Sequence, residues 1–311
     1  MIQLFKGDCL IESDKIESGS VDLILTDLPY GTVKNIKYPN KNREGYDTTA
    51  KWDTTIDTKS IYKIANRILR KNGKMILTAQ QPFTTELISK AIPNLPFNYS
   101  MIWEKDNFAN PLFVNKACVG YYEDVLVFSK DYDCGNTHPL RNYAKYIANY
   151  INKSRAERKK LLGHRGSDHF LEVIKNPLQF SLCTEKTYLE LIKVFNINDV
   201  SEFKTFKELK DIEFKYKSTF NLWEGKKYKS NILKYKKEYS GQHPTQKPVL
   251  LLEDLIKTFS NENDLVVDLT MGSGSTLVAC KNTNRNGIGI EMDENYFNIA
   301  RERVNSNIIQ P

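Results

Sequence analysis

The chain contains no apolar run of about 18 residues, so nothing in it reads as a helix that spans a bilayer. Its opening, Met1-Ile-Gln-Leu-Phe-Lys-Gly-Asp8, lacks the charged start and apolar core of a secretory signal. Cysteine is scarce: five in 311 residues, at positions 9, 118, 134, 183 and 280, with no Cys-x-x-Cys pair. That argues against a thiolate metal site, and an odd, dispersed set argues for a reducing cytoplasm rather than a disulfide framework. No Gly-Lys-Ser or Gly-Lys-Thr is present, which excludes a nucleotide phosphate loop. No helix-turn-helix or zinc-finger signature appears. With 40% hydrophobic residues, the composition is that of one large domain, or of one domain with a substantial insert.

What is present begins with Val21-Asp-Leu-Ile-Leu-Thr-Asp-Leu-Pro-Tyr-Gly31. A short run rich in branched apolar residues reads as a buried parallel strand. It stops at Asp27-Leu28-Pro29-Tyr30, where Pro29 cannot continue a ladder and biases Leu28 away from helix. Ligands of open α/β sheets sit at the carboxyl ends of strands. The Asp27 carboxylate, the Leu28 carbonyl and the Tyr30 ring are therefore expected to face one. Two acceptors and a flat ring suit an exocyclic amino group on an aromatic base. The same residues also read as a loop with a capping aspartate and a rigid turn, and by themselves they do not separate the two.

A second stretch runs from Asp264 to Glu291: Asp-Leu-Val-Val-Asp268-Leu-Thr-Met-Gly-Ser-Gly-Ser-Thr276, a helical segment, then Asn286-Gly-Ile-Gly-Ile-Glu291. This is strand, glycine turn, helix, strand, acid. Gly272 and Gly274 permit close approach of the backbone to a ligand. Ser275 and Thr276 begin a helix whose first N–H groups face that ligand. Glu291 stands where an acid grips a ribose diol. The third glycine of a dinucleotide fingerprint is replaced by Leu277, so the pattern fits a nucleoside cofactor.

Asp27-Leu28-Pro29-Tyr30 resembles the catalytic tetrapeptide of the amino-group DNA methyltransferases. Asp268 to Gly274 resembles their S-adenosylmethionine loop, and His243-Pro-Thr-Gln-Lys-Pro248 the segment preceding it. With the catalytic motif first and the cofactor loop last, the order is similar to that of the permuted, β-type members. The resemblance covers residues 1–130 and 241–303. It implies a Rossmann-like α/β fold, a mostly parallel sheet with helices on both faces. Residues 1–130 would form the catalytic half, 241–311 the cofactor half and 131–240 an inserted target-recognition region.

The resemblance further implies S-adenosyl-L-methionine as cofactor. Asp8 would meet the adenine amino group while also capping a helix, with Cys9 lining the pocket. Thr245 and Lys247 would hold the methionine end. Asp27, Asp268, Thr270, Gly272, Ser273, Gly274, Ser275, Thr276 and Glu291 would complete the site. Catalysis would fall to Asp27, Leu28, Pro29 and Tyr30, acting by in-line transfer on a base flipped out of double-stranded DNA. Members that start this motif with Asp mostly modify adenine N6 and those with Ser cytosine N4. Adenine is therefore expected, with cytosine N4 and a catalytically silent DNA-binding protein of the same fold as alternatives. Leu28 departs from the common Pro, at little cost if the contact is made by the backbone. Thr270 departs from a common Phe. The carbon-5 cytosine methyltransferases carry a nucleophilic Pro-Cys, and no cysteine here follows a proline. A cognate restriction endonuclease and a second copy of the chain are further candidate partners.

The remaining chain supports this plan. Residues 2–6 read as a strand, with helix signals to about Glu17; 59–70 as a helix ended by Asn72-Gly73; 75–78 as a strand; 83–91 as a helix. Residues 98–104 and 122–129 read as strands at one sheet edge. Trp103-Glu-Lys and Tyr122-Glu-Asp resemble motifs around the target-base pocket. Residues 31–57 lack periodicity and read as a long loop, with Trp52-Asp53 near its end. The net charge of +7 is uneven: 131–240 hold 22 Lys and Arg against 14 Asp and Glu, a net +8, leaving −1 elsewhere. Basic charge interleaved with Tyr and Phe suits a nucleic-acid surface.

Overall fold

The computed structural model describes residues 1–31, 55–109, 114–131, 139–172, 180–214, 216–223, 225–238 and 246–305. Thr245 and Trp52-Asp53 lie outside these. The chain divides into two units, one formed by 1–131 with 219–311 and one by 132–218.

The first unit is built on an eight-stranded sheet. Its strands are β1 (Ile2–Lys6), β2 (Val21–Thr26), β3 (Leu69–Ala79), β4 (Phe97–Ala109), β5 (Gly120–Ser129), β6 (Ile232–Lys234), β7 (Leu265–Asp268) and β8 (Asn286–Glu291). They lie in the order β1-β8-β7-β2-β3-β5-β4-β6, and β5 alone runs antiparallel to its neighbours. Helices before and between the early strands are α1 (Cys9–Glu12), α2 (Thr58–Ile68) and α3 (Phe83–Ser89).

Alternation along β2 shows why both faces are covered. Ile24 packs with Ile61 and Tyr62 of α2 and Leu87 of α3, while Leu23 and Leu25 point to the other side. There they meet Leu251 and Leu255 of a later helix and Ala279 and Cys280 of the next. A strand buried on both faces is continuously apolar, which is the pattern read from the sequence.

Three expectations shift. The first helix stops at Glu12 and continues only as a 3₁₀ turn over Ser13–Lys15. Asn72-Gly73 does not end α2, because β3 begins at Leu69 directly after it. The β2–β3 register instead jumps from Val21↔Leu69 to Leu23↔Lys74, and Asn72, at φ 62°, sits in the resulting bulge. Asp22 fills that gap: it accepts from Arg70 Nε at 2.5 Å and from the Leu265 amide at 2.8 Å. Third, β4 and β5 are not the edge. β5 inserts between β3 and β4, and β6 takes the edge.

The second unit is helical: α4 (Pro139–Ile151), α5 (Arg155–Leu162), α6 (Asp168–Leu171), α7 (Glu185–Phe195) and α8 (Phe206–Phe214). Ser154 and Glu157 form a reciprocal capping box at the start of the basic helix α5. Leu140, Ile147, Phe170, Leu191 and Leu209 make its core. Tyr143 and Tyr188 share a hydroxyl contact of 2.6 Å inside it. Several aromatics that interleave with lysines in the sequence are thus core residues, and they do not form a stacking surface.

The inserted unit is shorter than the stretch set apart from sequence. Residues 219–238 belong to the sheet unit, because β6 pairs with β4 there. They are tied to α9 (Val249–Phe259) by one buried carboxylate, Asp254. It accepts from Lys229 Nζ at 2.5 Å, Tyr235 Oη at 2.8 Å and Trp223 Nε1 at 3.2 Å. The first unit is completed by α10 (Ser275–Asn282) and α11 (Glu294–Asn305). About half of the basic excess of 131–240 lies in 219–240, which holds six Lys and Arg against two acidic residues.

Replacing Asp254 by Ala strands the largely buried Lys229 ammonium and two further donors. Urea unfolding of Asp254→Ala is expected to show a loss of about 3–5 kcal/mol.

Candidate active site

β2 and β7 are neighbours and parallel, with Leu23 opposite Val266 and Ile24 opposite Val267. On one side the sheet continues to β8 and β1, on the other to β3. Their carboxyl ends therefore open at the point where strand order reverses, the place where such sheets hold ligands. Asp27 follows one strand and Asp268 ends the other.

The two loops are stitched together. Thr26 Oγ1 donates to Asp268 Oδ1 at 2.8 Å and contacts Thr270 Oγ1 at 2.8 Å. Thr270 Oγ1 donates to the Asp27 carbonyl at 3.0 Å, and the Thr270 amide donates to Asp268 Oδ1 at 3.1 Å. Thr270, which replaces a common Phe, makes a bond that a phenyl ring cannot make. Asp268 is buried, and burial pushes its carboxyl up to about 6 against the pull of hydrogen bonds from Thr276, Thr26 and Thr270.

Asp27 is surrounded by donors. Tyr30 Oη donates to Oδ1 at 2.8 Å, Thr78 Oγ1 donates to the same oxygen, and Lys247 Nζ lies 2.5 Å from Oδ2. The Leu28 side chain is buried beneath, in the cluster that also holds Ile24. The Tyr30 ring stands 5.5 Å from that of Phe83, at 38°, on the α3 side. Burial, and then the nearby Asp27 and Glu123 charges, hold the Tyr30 hydroxyl well above the usual range, so it remains a donor.

The resemblance would place Lys247 at the methionine end of a cofactor. In the structure its ammonium pairs with Asp27 Oδ2 and, at 3.2 Å, with Glu123 Oε2. Glu123 in turn meets Lys105 Nζ at 2.5 Å. Burial opposes the charge on Lys247, but the Asp27 and Glu123 carboxylates outweigh it and raise its affinity for the proton. The sequence places Thr78 only in a strand; Lys105 and Glu123 lie in the Trp103-Glu-Lys and Tyr122-Glu-Asp stretches that resemble target-base-pocket motifs, with no role for either side chain. The available signal is the acid pair Glu123-Asp124 at the start of the apolar Val125–Phe128 run, where an unpaired charge is costly.

The glycine loop after β7 is held from three sides. Glu291 accepts from the Gly272 amide at 2.9 Å and the Asp293 amide at 2.7 Å. Arg303 of α11 donates to the Ser273 carbonyl at 2.7 Å, Ser273 Oγ at 2.9 Å and Ser275 Oγ at 3.1 Å. Ser273 Oγ reaches Gln246 Oε1 at 3.2 Å, and Gln246 donates to Glu238 at 2.8 Å. Gly272 and Gly274 have φ of 51° and 81°, values that only glycine adopts freely. Asp8 caps α1 through the Leu10 amide at 2.9 Å. Cys9 is buried in the core cluster, and burial pushes its thiol up to about 12, so it remains a neutral packing residue. Main-chain strand pairing sets Lys6 against Glu291, and the Gly7 amide donates to the Glu291 carbonyl at 2.9 Å. The Asp8 and Glu291 carboxylates and the glycine turn thus share one end of the sheet. Acids for an amino group and a diol, beside a glycine turn opening a helix, form a donor and acceptor set that fits a nucleoside.

A family model described as DNA methylase, of the N6/N4 group, matches residues 21–302. The chain is similar to the DNA adenine methyltransferase YhdJ of Escherichia coli K12, at 25% identity over 97% of this chain and 82% of that protein. It is also similar to the type II methyltransferase M2.LlaDCHI of Lactococcus lactis subsp. cremoris, at 34% identity over 111 residues, 36% of each chain. That match, like others of its kind, spans about a third or less of the relative's length. Among solved structures, M1.HpyAVI in complex with SAM shares the fold: TM-score 0.52 and 20% identity, over 98% of this chain and all of that one.

Two outcomes follow from the geometry. The folded state keeps the Asp268 proton where the unfolded chain has released it, so this residue lowers stability as pH rises from about 4 to about 6. Asp268→Asn should remove that fall, and the variant should gain about 3 kcal/mol on the wild type across the interval in urea titrations. A Cβ at Gly274 would stand 2.9 Å from the Ala300 Cβ at a left-handed φ. Gly274→Ala should weaken nucleoside binding at least tenfold by calorimetry while leaving the β2–β7 core folded.

Proposed function

The chain belongs to the DNA methylase family of the N6/N4 group, and we propose that it transfers a methyl group from S-adenosyl-L-methionine to the N6 amino group of adenine in double-stranded DNA. The observation that carries this reading is the position of Asp27. Its carboxylate is fixed by Tyr30, Thr78 and Lys247 at the end of β2 and stitched through Thr270 to the glycine loop after β7.

The bound cofactor supplies a methyl group on a positively charged sulfur, already electrophilic. Everything else falls to the chain. The nucleophile is an aromatic amine whose lone pair is delocalised into its ring. Asp27 and the Leu28 carbonyl accept its two hydrogens, draw the nitrogen toward tetrahedral geometry and aim the lone pair in line with the methyl carbon. The negative charge of Asp27 would offset the positive charge that grows on nitrogen as the N–C bond forms and the methyl–sulfur bond breaks, and the methylated nitrogen would then release its surplus proton to solvent. Tyr30 stacks on the base once it has left the duplex, and its hydroxyl keeps the Asp27 carboxylate from rotating. The work is positioning and preorganised electrostatics, with no covalent enzyme intermediate.

Asp8 and Glu291 hold the adenosine end of the cofactor, with Gly272 to Thr276 wrapped beside it. The basic helical unit, with α5 as its most basic helix, contacts DNA phosphates and reads the target sequence. The type II names among relatives support a cognate restriction endonuclease as the cellular counterpart.

Incubation with unmethylated genomic DNA and S-adenosylmethionine, digestion and mass spectrometry of the nucleosides tests the reaction. N6-methyladenine is expected. Asp27→Ala and the isosteric Asp27→Asn should each lower turnover at least a hundredfold while cofactor binding stays within a few-fold. N4-methylcytosine would overturn the base assignment. Bound cofactor with no methylated nucleoside would favour a silent DNA-binding protein.

A further inference from the structure

The cluster around Asp27 contains more charge than the transfer reaction requires. Asp27, Lys247, Glu123 and Lys105 alternate in sign, and the last three are at most 8% exposed. Lys105 also lies 5.0 Å from the Trp103 ring, closing the far end of the row. Within it, the two carboxylates are unequally satisfied. Asp27 Oδ2 takes the Lys247 ammonium at 2.5 Å. Glu123 Oε2 is buried, lies 3.2 Å from the same ammonium, and is without a hydrogen-bond partner among the described residues. A buried acceptor left in this state is costly, and here it is aimed at the ammonium that Oδ2 of the reacting carboxylate already holds.

This poses a problem for catalysis. In the proposed transfer an amino hydrogen must be accepted by Asp27, whose Oδ1 already receives Tyr30 and Thr78 and whose Oδ2 is covered by Lys247. A buried ammonium with one carboxylate partner stays on it, because leaving would strand both charges. With a second carboxylate in reach, it can change partner and remain neutralised. Lys105 holds the other Glu123 oxygen at 2.5 Å, so the carboxylate cannot turn away and its Oε2 stays aimed at Lys247.

We infer that Glu123 is a positioning residue that receives the Lys247 ammonium when the substrate amino group displaces it from Asp27. Lys247 is then a movable counter-ion, on Asp27 in the substrate-free protein and on Glu123 during transfer. No bond is made or broken by the exchange; one hydrogen bond to Asp27 is replaced by another, and the Glu123 acceptor becomes satisfied. The inference rests on the reading of Asp27 as the carboxylate that grips the amino group.

Single-turnover methyl transfer to DNA, with cofactor binding measured separately by calorimetry, tests it. Glu123→Gln should slow transfer at least tenfold with the cofactor dissociation constant within twofold of wild type, because Lys247 then has only Asp27 to pair with. Glu123→Asp keeps the charge and should recover at least a third of the rate. In a Lys247→Met background, adding Glu123→Gln should change the rate less than twofold, because Glu123 acts through Lys247. A wild-type rate in Glu123→Gln would overturn the inference. So would equal losses in Gln and Asp variants, or an undiminished loss in the Lys247→Met background; either would mark Glu123 as structural only. If wild type itself transfers no methyl group, the reaction assignment fails and the inference with it. If wild type is active, Asp27→Asn is dead and Glu123→Gln is normal, the inference alone fails.

Discussion

The pairing of β2 with β7 is the contact on which the rest of the site depends. The two strands are more than 240 residues apart in the chain, yet they run side by side with Leu23 against Val266. Parallel alignment sends both carboxyl ends in one direction. Thr26 then reaches Asp268, and Thr270 reaches the Asp27 carbonyl. Closing so long a loop has a substantial entropic cost, and it is offset by strands apolar on both faces and packed between helices. The same pairing places the reversal of strand order at this point. The crevice therefore follows from topology, and the residues after the two strands fall into it whatever their identity.

Buried charge is the second constraint. Asp254 and the Asp27–Lys105 row are both sets of ionisable groups taken out of water. They resolve the cost differently. Asp254 receives Lys229, Tyr235 and Trp223, and it secures the returning chain to a helix whose apolar face also covers the sheet. The Asp27 row leaves one oxygen unfilled. A closed network suits a structural anchor. An incomplete one suits a place where partners change, since a buried acceptor in want of a donor gives an ammonium somewhere to go. Asp268 belongs with neither: it is a single buried acid held by hydroxyl and amide donors, and its raised proton affinity reflects burial that those donors only partly relieve.

The helical unit shows how composition can mislead about placement. Lysine interleaved with tyrosine and phenylalanine suggests an aromatic surface for nucleic acid. In the structure Tyr143, Phe170 and Tyr188 turn inward to form a core, and lysines such as Lys145, Lys159 and Lys186 remain outside. An insert of this length needs a core of its own, and its aromatics are the largest apolar groups it has. Likewise 219–238, basic and aromatic in sequence, is held to the sheet by β6 and Asp254.

The sequence by itself determined the strands other than β6, the glycine turn and the order of the motifs. Each rests on local physics: apolar runs for strands buried on two faces, Pro29 to end one, Gly272 and Gly274 for left-handed backbone. It also indicated Asp27, Tyr30 and Glu291, because their places relative to strand ends follow from topology. Only the tertiary structure decided that β5 enters the sheet antiparallel between β3 and β4, that β6 forms the edge, and that the inserted unit ends near residue 218. It also decided where Lys247 points. Its partners Asp27 and Glu123 are 220 and 124 positions away, and no local pattern encodes which of two carboxylates a buried ammonium will meet. That choice is made by the packing of α9 and β5 on either side of it, and pair interactions at such separation are settled only when the whole sheet has formed.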